Sequence, residues 1–306
     1  MKNRFSTLSL TFYVAFMALY IGWIFLCVGY RADHLPFMLI LATMYLLTEG
    51  THRFFIGFIG LTLSWILLDS LRVFPSYLYN DVHIEDVYHA EVALFGLHVD
   101  GIKMTLNEYF RLHNSPVLDF VTGLTYLMWT PFPVALGIYL FKTNRGLLLR
   151  FTLAFFLANV IGVCIYYTYP AAPPWYVELY GFERKFDIPG SAAGLLSFDK
   201  LTGTTIFEGI YSKSFNVFGA IPSLHSAYPV VAFYYAWKKK SKIAMIILFI
   251  FMLMTWFSAV YSIHHYLLDV VLGIFCAIFA IIILEQIILR SGIRHIIDKL
   301  INYITP

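Results

Sequence analysis

The sequence predicts an all-α polytopic membrane protein with about eight transmembrane helices. Three observations carry this. Hydrophobic residues make up 60% of the chain and charged residues 13%, against about half and about a quarter in soluble domains. Residues 8–30, 117–141, 243–263 and 265–289 are each apolar over the length that a bilayer crossing takes, about 20 residues. Basic residues return in short clusters at Lys142–Arg145–Arg150, at Lys238–Lys239–Lys240–Lys242 and at Arg290–Arg294–Lys299, and such segments stay on the cytoplasmic side.

Taken in order, Lys2 and Arg4 precede a first apolar run with no small-residue cleavage site, which reads as a retained span rather than a removed signal peptide. Residues 36–50 form a short second span, and residues 54–74 a third, with Asp69 and Arg72 near its far end. Residues 117–141 and 147–168 make the fourth and fifth, and 222–237, also short, the sixth. Eight spans counted from a cytoplasmic N-terminus put every basic cluster and Arg53 inside, whereas seven break the alternation. The division that follows is two N-terminal helices over 1–53, a six-helix catalytic core over 54–289 and a cytoplasmic tail over 290–306.

The long connections, roughly 75–116 and 169–221, then face outward. The first is acidic, and its apolar Val92, Leu94, Phe95 and Leu97 suit an amphipathic helix on the membrane surface. Its His83, His89, His98 and His113 are irregularly spaced and lack cysteine companions, so they read as surface residues rather than metal ligands. The second opens with Tyr169-Pro-Ala-Ala-Pro-Pro-Trp-Tyr176. Its prolines force extended backbone, which suits equally a stiff span exit with interfacial aromatics and a rigid wall over a surface site, with Tyr169 and Trp175 in it. The cysteines, Cys27, Cys164 and Cys276, all fall in predicted spans and say nothing of compartment.

Two polar stretches interrupt the apolar pattern. Phe218-Gly-Ala-Ile-Pro-Ser-Leu-His225 puts Pro222 where a helix begins, Ser223 beside it and His225 in the first turn. Such a helix mouth suits phosphate, but taken alone the segment fits a plain capped apolar helix better. Ser262-Ile-His-His-Tyr-Leu-Leu-Asp269 opens the last span. His265 and Asp269 lie four apart and share a helix face, where a carboxylate on one ring nitrogen makes the other more nucleophilic. His264 points elsewhere. The span count brings His225, His265 and the proline-rich exit to one outer surface, which favours a site over two unrelated structural features.

Pro222-Ser-Leu-His225, followed by Ser258-X-Val-Tyr261-X-X-X-His265-X-X-X-Asp269, resembles the second and third motifs of the type 2 phosphatidic acid phosphatase (PAP2) superfamily. Gly219-Ala-X-Pro-Ser-Leu-His225, His264-His-Tyr with Asp269, and Pro173-Pro-Trp-Tyr176 are similar to its inositol phosphorylceramide synthase branch. The resemblance covers about residues 90–280. It implies that His265 is the nucleophile, forming a phosphohistidine, that Asp269 orients it, and that His225 protonates the departing oxygen and deprotonates the incoming one. It implies a phosphate- and substrate-binding set of Pro222, Ser223, Leu224, Tyr261 and His264, with Tyr169 and Trp175 alongside, and neither metal nor cofactor.

Two departures from the pattern bear on substrate. Ala259 stands after Ser258 where the superfamily has arginine, and Tyr169-Pro170 replaces an arginine–proline pair. Phosphoryl transfer needs positive charge, and a phosphomonoester brings nearly two negative charges where a diester brings one. The expected activity is transfer of a phosphorylated headgroup, inositol phosphate by resemblance, from a phospholipid donor to ceramide or another lipid alcohol. The alternative on the same residues is a phosphatase for a phosphatidate-like or prenyl phosphate. Arg184, Lys185 or Lys213 could replace the missing cations. A transporter fits less well, because its site tends to the bilayer midplane. A zinc protease lacks any His-Glu-X-X-His, and the basic clusters are membrane flanks rather than nucleic-acid contacts. With no Asn-X-Ser/Thr acceptor and many Ile, Phe, Lys and Tyr residues, a bacterial inner membrane with a periplasmic site is expected over a Golgi-type lumen.

Overall fold

The computed structural model describes residues 7–32, 34–71, 73–212 and 216–305; Lys213 and Arg72 lie outside them. The chain is 74% helical, as the sequence predicts. Among the described residues, three helices are long and apolar enough to cross a membrane: α9 (Arg145–Thr168), α14 (Lys242–Tyr261) and Leu267–Arg290, which begins as α15 (Leu267–Ile282). Two bent helix pairs pass the same test only when each pair is taken as one span. α3 (Glu49–Gly57) meets α4 (Ile59–Ser70) at 58°, and α7 (Pro116–Leu127) meets α8 (Pro131–Thr143) at 44°. The second bend has a local cause: Pro131 and Pro133 cannot continue α7's ladder but fit the opening turn of a new helix. Apolar α1 (Thr7–Trp23, extended by a π turn to Val28) and α2 (His34–Leu46) are shorter.

The core forms where α13 (Leu224–Lys238) packs against α14, α15 and α9. At Gly273, α15 comes so close to the start of α13 that a Cβ would lie 2.2 Å from the carbonyl oxygen of Ser223. Only glycine allows that approach. It lets the Ser223 N–H donate to the Asp269 carbonyl at 3.0 Å, so the two polar stretches share a backbone bond. Gly60 does the same between α4 and α9, where a Cβ would meet the Thr152 carbonyl at 2.0 Å.

The first two helices are tied on by charge. Asp69, near the end of α4, accepts from Arg31 Nη1 at 3.1 Å and faces His34 Nε2 at 2.9 Å. At the opposite end α16 (Arg294–Ile304) lies against the starts of α3 and α9, with Tyr303 Oη 3.0 Å from His52 Nδ1 and the Arg145 guanidinium on the Ile304 carbonyl.

The outer segments are folded, not loose. α5 (Glu85–Phe95) is followed by a hairpin of β1 (Leu97–Val99) and β2 (Ile102–Met104), then α6 (Leu106–Leu112). The expected surface helix therefore ends at Phe95, and Leu97 belongs to a strand. In its C-terminal half the expected pattern is reversed, since Glu91 is fully buried while Leu94 is exposed, although apolar Val87 is buried. In the second segment, α10 (Pro174–Tyr180), α11 (Leu196–Thr202) and α12 (Ile206–Tyr211) are short helices. The proline-rich exit runs extended between two neighbours. Ala172 N–H donates to the His83 carbonyl at 2.9 Å, and Ala171 N–H to the Phe218 carbonyl at 2.8 Å.

Candidate active site

His225 and His265 come together. His225 is the second residue of α13, and His265 sits in the turn between α14 and α15; their ring centroids are 5.8 Å apart. Both line a cavity of 140 Å³ with His264, Trp175, Tyr126 and Asn216. That is well under the roughly 300–1,000 Å³ of sites for drug-sized ligands, and on the scale of a headgroup rather than a whole lipid.

The orientation of His265 follows from its partners. Nδ1 lies 3.1 Å from the Ala220 carbonyl oxygen and 3.4 Å from Asp269 Oδ2. A carbonyl only accepts, so Nδ1 carries the proton and the lone pair is on Nε2. Asp269 therefore shares the orienting role with a main-chain oxygen. The parallel bridge between Ala171 and Gly219 holds the segment that supplies this oxygen, with Ala220 N–H on the Ala171 carbonyl at 3.3 Å. Asp269 Oδ2 also accepts the Tyr266 N–H at 2.9 Å. Burial pushes the His265 imidazole down to about 4, so it is neutral at physiological pH and its Nε2 is free to attack. Burial, with repulsion from His265 and His225, pushes His264 down to about 3.

The other expected residues fall into two groups. His264 and Trp175 line the cavity. His264 Nε2 donates to the Ala192 carbonyl at 3.0 Å, and its ring stacks on Tyr211 at 4.4 Å. The Trp175 backbone N–H donates to the Ile263 carbonyl at 3.1 Å. The remaining residues support the site from outside the cavity. Ser223 is the N-cap of α13, 0% exposed, and its hydroxyl oxygen accepts from the Ser226 N–H at 3.3 Å and hydroxyl at 3.0 Å. Pro222 thus precedes the cap instead of opening the helix, and its carbonyl accepts from Tyr166 Oη at 3.1 Å. Leu224 packs on Gly162 of α9. Tyr261 donates to Asp119 Oδ1 at 2.7 Å, joining α14 to α7. Tyr169 stacks on His83 at 3.7 Å and donates to Asp86 at 3.1 Å, away from the cavity.

Tyr126, Tyr211, Asn216 and Ser191 also line the cavity, and the sequence did not mark them. Tyr126 hides in an apolar span, its ring 4.8 Å from that of His225. Asn216 had one signal, the glycine three residues on, since a Cβ at Gly219 would lie 2.4 Å from its amide. Among the described residues no Lys or Arg lines the cavity. Arg184 pairs with Asp81 at 3.4 Å and Lys185 with Glu183 at 3.0 Å, both exposed. Ala259 is fully buried against aromatic rings. Among the described residues, no three His, Cys, Asp or Glu side chains are grouped to hold a metal ion.

An apolar helical bundle agrees with the family comparison. A family model described as the PAP2 superfamily matches residues 97–283, and the chain belongs to that superfamily as a PAP2-like lipid phosphotransferase of the membrane. Among curated proteins it is 38% identical to the phosphoinositol dihydroceramide synthase of Bacteroides thetaiotaomicron, over 95% of this chain and 96% of that protein. It is 30% identical to the inositol phosphorylceramide synthase catalytic subunit of Saccharomyces cerevisiae and 29% to the inositol phosphorylceramide synthase of Candida albicans. Each of these matches 78% of this chain, which spans 58% and 50% of the two fungal proteins. No solved structure gives a significant match.

Proposed function

We propose that this chain moves phosphoinositol from a glycerophospholipid to ceramide or a related lipid alcohol, through a phosphohistidine on His265. The observation that carries this is the His265 ring, protonated at Nδ1 by its partners and facing His225 across a headgroup-sized cavity. In the first step Nε2 attacks phosphorus and the bond to the diacylglycerol oxygen breaks, while His225 gives that oxygen a proton. In the second step His225 takes the proton from the acceptor hydroxyl, whose oxygen attacks phosphorus and releases His265. His225 enters as the imidazolium, the form that the negative charge of a bound phosphodiester favours. The proton it gives in the first step is the one it recovers in the second, so both steps balance with no other reactant. The N–H and O–H groups of Asn216, Ser191 and Tyr211 supply neutral donors for a single phosphoryl charge, which fits a diester. The names of the relatives supply inositol and ceramide.

The topology belongs to the same reading. Counting each bent pair once gives five spans, and α1, α2 and α13 complete eight. The alternation is self-consistent: α16 joins the starts of α3 and α9 at the cytoplasmic end, while Asp69, Arg31 and His34 meet at the other. Both termini are then cytoplasmic, and the site faces outward, to the periplasm in a bacterial inner membrane. Incubating purified protein with phosphatidylinositol and ceramide, then resolving products by lipid mass spectrometry, tests the function. The expected products are inositol phosphorylceramide and diacylglycerol. Released inositol phosphate or free phosphate without a transfer product would overturn it.

A further inference from the structure

The turn that carries His265 is strained. Ile263, a β-branched residue, sits at φ 53°, and left-handed backbone of this kind is costly for such a residue and persists only where its surroundings fix it. Two side chains from the first outer segment grip this turn from behind. Asn107, the second residue of α6 and 2% exposed, donates through Nδ2 to the Val260 carbonyl at 2.8 Å and to the His265 carbonyl at 2.9 Å. One amide thereby ties the last turn of α14 to the backbone of the nucleophile. Glu91, on α5 and 0% exposed, accepts the Leu267 N–H at 3.1 Å on one oxygen and the Leu268 N–H at 2.9 Å on the other. These are the first two amides of α15, which have no intrahelical partner.

The residue types fit the task. An amide nitrogen with two hydrogens can bridge two carbonyls, which a carboxylate cannot. A carboxylate offers an acceptor to each of two adjacent N–H groups, where glutamine would turn a donor toward one of them. Neither side chain lines the reaction cavity, so neither meets the phosphate.

We propose that Glu91 and Asn107 are positioning residues of the transfer reaction, fixing the 260–268 backbone so that His265 Nε2 meets phosphorus in line. The inference rests on the proposed chemistry at His265. It explains why an acidic outer segment, distant in sequence from both motifs, is folded against the catalytic turn: a nucleophile displaced by about 1 Å loses on the order of 100-fold in rate.

The test uses the full-length protein with phosphatidylinositol and ceramide in mixed micelles, comparing wild type with Glu91→Gln, Glu91→Asp and Asn107→Asp. Rapid-quench mass spectrometry of the wild type first shows whether His265 carries the phosphorylated headgroup. Failure there overturns the chemistry, whatever the variants do. Given that adduct, Glu91→Gln and Asn107→Asp are expected to form it roughly 10- to 100-fold more slowly, with KM within about threefold and unchanged elution on size exclusion. Glu91→Asp, which keeps both acceptors on a shorter arm, is expected to fall between Glu91→Gln and wild type. Wild-type adduct rates in folded Glu91→Gln and Asn107→Asp would overturn the inference. So would a change confined to KM. If Glu91→Gln does not fold, the kcat and KM of Asn107→Asp decide alone, and misfolding of both makes the pair structural and also overturns it.

Discussion

Replacing Gly273 by alanine tests whether the distance between the two histidine stretches sets the rate. The new Cβ would lie 2.2 Å from the Ser223 carbonyl oxygen, whereas unstrained contacts of this kind begin above about 3 Å. The obstacle is backbone at a helix cap, not the end of a flexible side chain, so α13 and α15 must separate by about 1 Å. Overpacking of this size costs about 1–3 kcal/mol of stability, and a misplacement of about 1 Å in the reacting groups costs on the order of 100-fold in kcat. The Ser223–Asp269 backbone bond at 3.0 Å lies directly in the path of that shift. The assay is headgroup transfer by the purified variant, with thermal unfolding measured alongside. Gly292→Ala is the control, since nothing lies within 4 Å of its added Cβ. Transfer by Gly273→Ala within about threefold of wild type, at unchanged thermal stability, would refute the claim that this approach holds the two histidines in register.

Other expectations follow from single groups. Asp269→Asn removes the negative charge beside His265 Nδ1, keeping at most a neutral amide acceptor there, and leaves the Ala220 carbonyl, so transfer should fall by about 10- to 100-fold, within the range of general-base effects, and not to zero. Glu91 is pushed up to about 7, chiefly by burial, with Asp269 adding to the rise against the two amide bonds. Its folded value lies above the ordinary carboxyl value, so its contribution to stability is fully present below that value and is lost as pH rises through about 7. On the order of 3 kcal/mol is at stake. The melting temperature should therefore fall between pH 5 and pH 8, and Glu91→Gln should flatten that fall. Asp69→Asn removes the negative charge and turns an amide NH2 toward either Arg31 or His34, which use different oxygens of Asp69; it should lower the melting temperature while leaving kcat within about twofold, as measured on protein that remains folded. Transfer should survive dialysis against EDTA, read as product formed per minute.

The sequence marked the candidate site wherever it depends on side chains at fixed spacing. His265 and Asp269 stand four apart, and Pro222-Ser-Leu-His225 announces a helix mouth. The span count then brought both to one end. What stayed hidden depends on main-chain atoms and on packing. The Ala220 carbonyl that orients His265 is an atom every residue carries, and only the extended path of residues 169–172 and 218–220 places it. Ser223 carries the hydroxyl expected of a phosphate ligand, yet its own cap and the approach at Gly273 bury it. Tyr126 looks like any aromatic residue in an apolar span until α13 sets His225 against it. Glu91 misleads most, because alternation on α5 places the acidic face outward in solution, while here the unpaired amides of α15 draw it inward. The bends at Phe58 and at residues 128–130 shorten two spans that are continuous as apolar runs.

The central claim is a covalent phosphohistidine at His265, and the most direct measurement is site-resolved mass spectrometry of enzyme quenched during turnover with phosphatidylinositol and no acceptor. The account expects an acid-labile inositol phosphate adduct on His265 that disappears on adding ceramide and never forms in His265→Ala. Turnover with no adduct on His265, or an adduct on His225 instead, would contradict it.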